Sequence, residues 1–347
     1  MTIKRNIVVM ASLIFILTAC SSKEYDSDNT TISESSNSSS SIYEEEEKDV
    51  DKFADSGSSA ILPQLKDGEV AIDEDNFPDD IFRNYVLSTI DVNGDKILQE
   101  DEIQLVTEID VSGMHNNISD IKSLEGIAIF TELTELSCKY TSIESLDVSK
   151  NIRLKKLFVY DSEISELDLK KNLELEVLYC DDTNISSLDL SSNTNLIQLQ
   201  CSRTKITELD LSQNTKLELI NCMENDISSI DVSCMPKLGF LNCSNTNISE
   251  IDVSNNTELW SLSVSNTQIS ALDISNNGML VGVFLSGCKE LSNLDLSNSN
   301  LIQEVYIDGT SIEELNLTGK EHVSQVVCND NVNVIGCNED YIDRISE

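Results

Sequence analysis

The stretch NTNLIQLQCSRTKITELDLSQ, residues 193–213, contains two short alternations, Leu199-Gln200-Cys201 and Leu209-Asp210-Leu211, separated by polar residues. A period of two is strand-like and sends Leu199 and Cys201 to one side and Gln200 to the other. The stretch recurs with edits. From Leu133 the chain follows L-x-x-L-x-[C/V]-x-x-[T/N]-x-I-x-x-[L/I]-D-[L/V]-S-x-N-x-x. The apolar residue before the aspartate falls at 146, 167, 188, 209, 230, 251 and 272, then at 294 and 315. The period is therefore 21 residues, with one extra residue near 288–291. A unit this short cannot bury its apolar face alone, so copies must stack into a solenoid. In-register coils at the strand spacing would form a stack roughly 45 Å long. The expectation is a mainly parallel β solenoid with short second strands on the opposite wall and little helix.

Cys138, Cys180, Cys201, Cys222, Cys243 and Cys328 share one inward position, which Val159, Val264, Leu285 and Ile307 fill in other coils. Interchange with aliphatics makes the thiol a small hydrophobe in a narrow coil. Stacked neighbours would lie about 5 Å apart, inside the disulfide range, yet parallel Cβ vectors oppose the required dihedral. Disulfides or a bound metal are the alternative. Cys234 falls in a turn and Cys288 in the Thr/Asn slot. Cys337 follows Cys328 closely enough for a bond in an oxidising compartment, although the ladder register of Cys328 argues against it.

A column of aspartates, Asp147, Asp168, Asp189, Asp210, Asp231, Asp252, Asp273 and Asp295, also recurs once per coil. Like charges stacked at about 5 Å repel unless compensated. Each carboxylate is expected to accept backbone N–H groups at the turn, with a row of weak divalent-ion sites as the alternative. The outward positions of the Leu-x-Cys strands include Phe158, Tyr179, Phe284 and Tyr306, flanked by Tyr160, Asp181, Asp182 and Arg203. Aromatics among polar residues on a regular sheet are candidate interface anchors. Phe158, Tyr160, Tyr179, Asp181, Arg203, Phe284 and Tyr306 are therefore the candidate ligand-binding set.

The pattern resembles the leucine-rich repeat, and more narrowly the cysteine-ladder, internalin J-like type with the motif LxxLxCxxNxLxxLDLSxN, found in many lipoproteins of Gram-positive bacteria. Thr141, Thr183, Thr204, Thr246, Thr267 and Thr310 replace the asparagine after the cysteine, which Asn225 and Asn331 keep. A hydroxyl there can still bond backbone. The resemblance implies a leucine-rich-repeat solenoid that recognises a protein or glycan ligand, in adhesion or recognition.

Upstream, Lys4 and Arg5 precede the apolar run 7–17, and Leu17-Thr18-Ala19-Cys20 matches the lipobox of bacterial lipoprotein signal peptides. That resemblance implies cleavage before Cys20, lipidation of its thiol, and a location on the cell membrane facing outward. The expected organisation is a signal peptide at 1–19 and a disordered Ser/Asn/Glu-rich tether at 20–68. An N-terminal cap module would follow at 69–112, then the solenoid at 113–337 and a tail at 338–347.

Within the cap, DVNGDKILQEDE at 91–102 has the spacing of an EF-hand loop. Asp91, Asn93, Asp95 and Glu102 would supply side-chain oxygens and Ile97 a backbone carbonyl to a weakly held calcium ion. Lys96 stands where glycine normally provides positive φ. The alternative is a helix-loop-helix that caps the solenoid and binds nothing. The stretch 77–111 also resembles the N-terminal module of the internalin group, so a small helical, EF-hand-like cap is expected.

With 62 acidic against 23 basic residues, the formal charge of −39 excludes a nucleic-acid partner, which needs a basic patch. His115 and His322 are the two histidines, far apart in sequence and without a patterned nucleophile, and no phosphate loop or His-based metal motif occurs. The reading is a non-catalytic, lipid-anchored surface protein. A structural spacer of the cell envelope is the alternative, and a glycan-processing enzyme that uses hidden carboxylates is the more distant one.

Overall fold

The computed structural model describes residues 65–113 and 120–346. Cys20, the segment 1–19 expected to be a signal peptide, most of the 20–68 segment and His115 lie outside them.

The first described segment is a small module of two antiparallel strands, β1 (Val70–Ala71) and β2 (Ile97–Leu98), and two short helices, α1 (Asp80–Tyr85) and α2 (Glu100–Leu105). A π-helical turn, Val86–Ile90, prolongs α1. Asp79 fixes the start of α1 by accepting the Ile81 and Phe82 N–H groups, each at 3.0 Å. Its second oxygen accepts Lys122 N–H at 2.8 Å, which ties the module to the first coil. Phe77, Phe82, Val86 and Leu98 are fully buried and continue the core of the solenoid. The module therefore closes the end of the stack.

From there each coil contributes one short strand. They are β3 (Glu108–Asp110), β4 (Glu135–Ser137), β5 (Lys156–Phe158), β6 (Val177–Tyr179), β7 (Gln198–Gln200), β8 (Leu219–Asn221), β9 (Phe240–Asn242), β10 (Ser261–Ser263), β11 (Gly282–Phe284) and β12 (Glu304–Tyr306). The last coils add β13 (Glu314–Asn316), β14 (Gln325–Asn329), β15 (Asn333–Ile335) and β16 (Ile342–Ile345). β3 to β12, β14 and β16 form one twelve-stranded parallel sheet in chain order. The sheet begins before the boundary expected at 113. It also runs past 337, because Ile342 is half-buried and β16 pairs with β14 where a tail was expected.

The expected second strand row is realised only where β13 pairs with β15. Elsewhere the opposite wall is held by side chains in place of a backbone ladder. Each aspartate accepts the N–H two residues on, at 2.9 Å for Asp147 with Ser149, Asp210 with Ser212 and Asp252 with Ser254. These bonds from the following serines hold the Asp147, Asp189, Asp210, Asp231, Asp252, Asp273 and Asp295 carboxyls below their ordinary range. A second row carries more weight. Asn151, Asn172, Asn193, Asn214, Asn256 and Asn277 are fully buried, and each amide donates to two carbonyls of the preceding coil.

The cysteine position is one buried column. Cys138, Val159, Cys180, Cys201, Cys222, Cys243, Val264, Leu285, Ile307 and Cys328 all have no exposure. Every described cysteine is a free thiol, Cys328 and Cys337 included. Cys222 and Cys243 approach to 3.6 Å between sulfurs. Burial pushes the Cys138 thiol up to about 12, which removes the reactive thiolate at neutral pH. At the next slot the hydroxyls of Thr141, Thr183, Thr246 and Thr267 donate to the carbonyl three residues back. Asn225 and Cys288 reach across coils from this slot, Asn225 to the carbonyl of Cys201 at 2.8 Å and the Cys288 thiol to that of Val264 at 3.1 Å. Asn331 is exposed and does not join this row.

Candidate functional site

The sheet leaves one face free. From β3 to β12 the middle residue of each strand faces the core, and the first and third lie on the other side, partly exposed in β5, β6, β7 and β12 and more covered in β8 to β11. Register then stacks the third residues Phe158, Tyr179, Gln200, Asn221, Asn242, Ser263, Phe284 and Tyr306 in one row. The first residues Lys156, Val177, Gln198, Leu219, Phe240, Ser261, Gly282 and Glu304 form a parallel row.

Aromatic rings collect at two places on this face. Near the start, the Phe158 and Tyr179 rings lie 5.3 Å apart edge to face, and Tyr160 meets Tyr140 at the same distance. Farther on, Phe284 and Tyr306 lie 5.0 Å apart, and Phe240 and Trp260 lie 5.6 Å apart. Phe240 and Trp260 were not among the sequence candidates. Phe240 takes a first-of-strand position, outside the third-residue row of Phe158, Tyr179, Phe284 and Tyr306. Trp260 precedes β10 and folds over the backbone of Gly239, where a Cβ would meet its ring at 2.6 Å. Such room is visible only in the folded stack.

Two charged candidates are placed differently from expectation. Asp181 is 8 % exposed rather than outward. It accepts the Ser202 N–H at 2.9 Å and the Ser202 hydroxyl. Burial raises its carboxyl to about 6, against the pull of those bonds. It thus serves the turn and is not a free surface contact. Arg203 grips Asp182 with Nε at 2.7 Å and a second nitrogen, so its guanidinium is already committed. Both consequences follow from the turn after each strand, where Tyr140, Asp161, Asp182, Arg203, Glu224, Asn245 and Asn266 all adopt φ between 52° and 55°.

The loop 91–102 closes on its own backbone. Asp91 accepts the Gly94 and Lys96 N–H groups at 2.8 and 2.9 Å, Asn93 that of Asp95, and Asp95 that of Ile97. Glu102 accepts those of Val92 and Gln99 at 2.9 and 3.0 Å. Lys96 carries φ of 66°, the positive value its position requires. The donors are all oxygens, as a hard cation needs. Among the described residues no group of three or more His, Cys, Asp or Glu side chains is arranged to hold a metal ion.

Comparison with known proteins agrees with this architecture. No family model matches the chain. Internalin J of Listeria monocytogenes is 34 % identical over 101 residues, which is 29 % of this chain and 10 % of that protein. The match thus spans a tenth of that relative's length. The crystal structure of an internalin, InlF, from Listeria monocytogenes superposes with a TM-score of 0.62 at 19 % identity, over 76 % of this chain and 85 % of that one. A leucine-rich-repeat protein of Leptospira interrogans gives 0.57 at 17 % identity, over 61 % of this chain and 57 % of that one. The chain is an internalin-like leucine-rich-repeat solenoid with a buried cysteine ladder.

Proposed function

We propose that the outward face of the twelve-stranded sheet is a recognition surface for a protein ligand, and that the chain is held at the cell surface by a lipid on Cys20. One observation carries the binding reading. Half-exposed aromatic rings, Phe158, Tyr179, Phe284 and Tyr306, are aligned in register in one row whose intervening side chains, Gln200, Asn221, Asn242 and Ser263, are polar. Rigid rings of this kind supply contact area at low entropic cost. The likeness to internalins supports a binding role over a catalytic one, and the lipobox sequence supports the anchor. No helix of the described residues is long and apolar enough to cross a membrane.

The test is capture of surface proteins, by cross-linking, with the full chain and with Phe158→Ser, Tyr179→Ser, Phe284→Ser and Tyr306→Ser variants. The reading expects bands that disappear in at least one aromatic variant while the thermal melt is unchanged. Identical capture by all variants would remove the sheet face as the binding site. Cys20→Ser should release the protein from membranes or leave it unprocessed, and unchanged fractionation with unchanged acyl labelling would refute the anchor.

We also infer that the 91–102 loop binds calcium weakly through Asp91, Asn93, Asp95, Glu102 and the Ile97 carbonyl, as the oxygen-only donor set supports.

A further inference from the structure

Resting on the protein-binding reading, we propose that the β11–β12 part of the sheet face seats a lysine or arginine side chain of the partner polypeptide, between the Glu304 carboxylate and the rings of Phe284 and Tyr306.

Glu304 is the first, outward residue of β12 and is half-buried. Its carboxylate has no hydrogen-bond or ion-pair partner among the described residues, and burial is the sole influence on its titration, displacing it upward. A carboxylate removed from water without compensation is costly, and a cation arriving from outside relieves that cost. The equivalent acid near the other end of the same face, Glu135, already has its cation, with Lys156 Nζ at 2.8 Å.

The surroundings suit a cation rather than a neutral group. Glu304 registers with Gly282, and the Phe284 ring lies back over that glycine, where a Cβ would stand 2.8 Å from it. Tyr306 lies two residues along the strand, and its ring feels the negative charges of Glu304, Asp343 and Asp308. Aromatic faces and carboxylates together attract ammonium and guanidinium groups. From β7 to β12 neither outward row contains a lysine or arginine, so these rows supply no cation there. At the start of the face the chain does so itself, with Lys139 Nζ 5.7 Å from the Tyr160 ring centre. The two aromatic groups thus differ in one respect. The first has its own cation, and the second lacks one.

Trp260, the single tryptophan, provides the readout, two strands from Glu304 on the same face. Titration of the full chain with the peptide acetyl-Gly-Arg-Gly-amide should change its emission saturably. The same peptide with neutral citrulline for arginine should bind at least about fivefold more weakly. Glu304→Gln should weaken the arginine peptide by a similar factor, and Asp252→Asn, an exposed acid of the opposite wall, should leave it unchanged. Equal responses to the two peptides would overturn the proposal. So would equal losses in Glu304→Gln and Asp252→Asn, because the response would then belong to the overall acidic field. Partner capture that depends on Phe158 and Tyr179, with an unaltered response in Glu304→Gln, would defeat this proposal and leave the binding face standing. Selective arginine binding with partner capture indifferent to every aromatic variant would do the reverse.

Discussion

The side-chain amide of Asn193 donates to the backbone carbonyl of Asn172, 3.0 Å away in the preceding coil, and also to that of Leu169 at 3.0 Å. One buried side chain thereby joins two coils where no backbone ladder does. Asn193→Ala deprives two buried carbonyls of donors, and should cost about 2–4 kcal/mol in urea unfolding. A loss below about 0.5 kcal/mol would show that the wall does not depend on this row.

Acid should destabilise the solenoid through the opposite wall. The Asp147, Asp189, Asp210, Asp231, Asp252, Asp273 and Asp295 carboxyls sit below their ordinary values when folded. Their contribution is therefore present above the unfolded value of about 4 and is lost as pH falls through the folded values. The melting temperature should drop below about pH 4.

Asp181 acts with the opposite sign. Its carboxyl is raised to about 6, so the stability it confers is full below the unfolded value and is lost as pH rises through the folded one. Melting followed from pH 4 to 7 should show a decline in the wild type that Asp181→Asn lacks. Parallel pH profiles for the two proteins would contradict the burial of this group.

Thiol labelling should divide the cysteines by position. Cys234 and Cys337 are partly exposed, whereas Cys138, Cys180, Cys201, Cys222, Cys243, Cys288 and Cys328 are buried. Native protein should be labelled first at the former two, and the ladder only after denaturation, as read by mass spectrometry. Recovery of Cys222 and Cys243 as a disulfide would reverse the small-hydrophobe account.

Calcium binding to the 91–102 loop should appear in calorimetry at roughly 10⁻⁴ to 10⁻³ M. Lys96→Gly should tighten it, since Lys96 holds φ of 66° and adds a positive charge, and Asp91→Ala should abolish the specific component. Binding indifferent to both substitutions would reduce the loop to a cap.

The repeat, the buried cysteine column and the hydroxyl bonds of Thr141, Thr183 and Thr246 were all legible in the sequence, because period and interchange report burial directly. The function of the asparagine row was not, although its residue was in the motif. Spacing shows that Asn193 recurs, but only the stacked coils show which carbonyls it meets. Asp181 and Arg203 were misread for a related reason. Alternation predicts direction within a strand, and both residues lie just beyond one, where the left-handed turn redirects the chain. Trp260 depends on a glycine one coil away, a relation that no single repeat contains.

The asparagine row is broken at Met235, and again at Ser299, whose buried hydroxyl bonds nothing in the coil before it. Met235 occupies its place between Asn214 and Asn256, and from the next coil the Leu211 carbonyl meets the Cys234 sulfur, at 3.8 Å, where an amide would have reached it. A stack of coils carries load in series, so it yields at its least fastened joint. Pulled along its axis, the protein should part first at one of two compliant seams, between the coils of Asn214 and Met235 or between those of Asn277 and Ser299. Met235→Asn would splice the first seam, and single-molecule extension should then show one early rupture fewer.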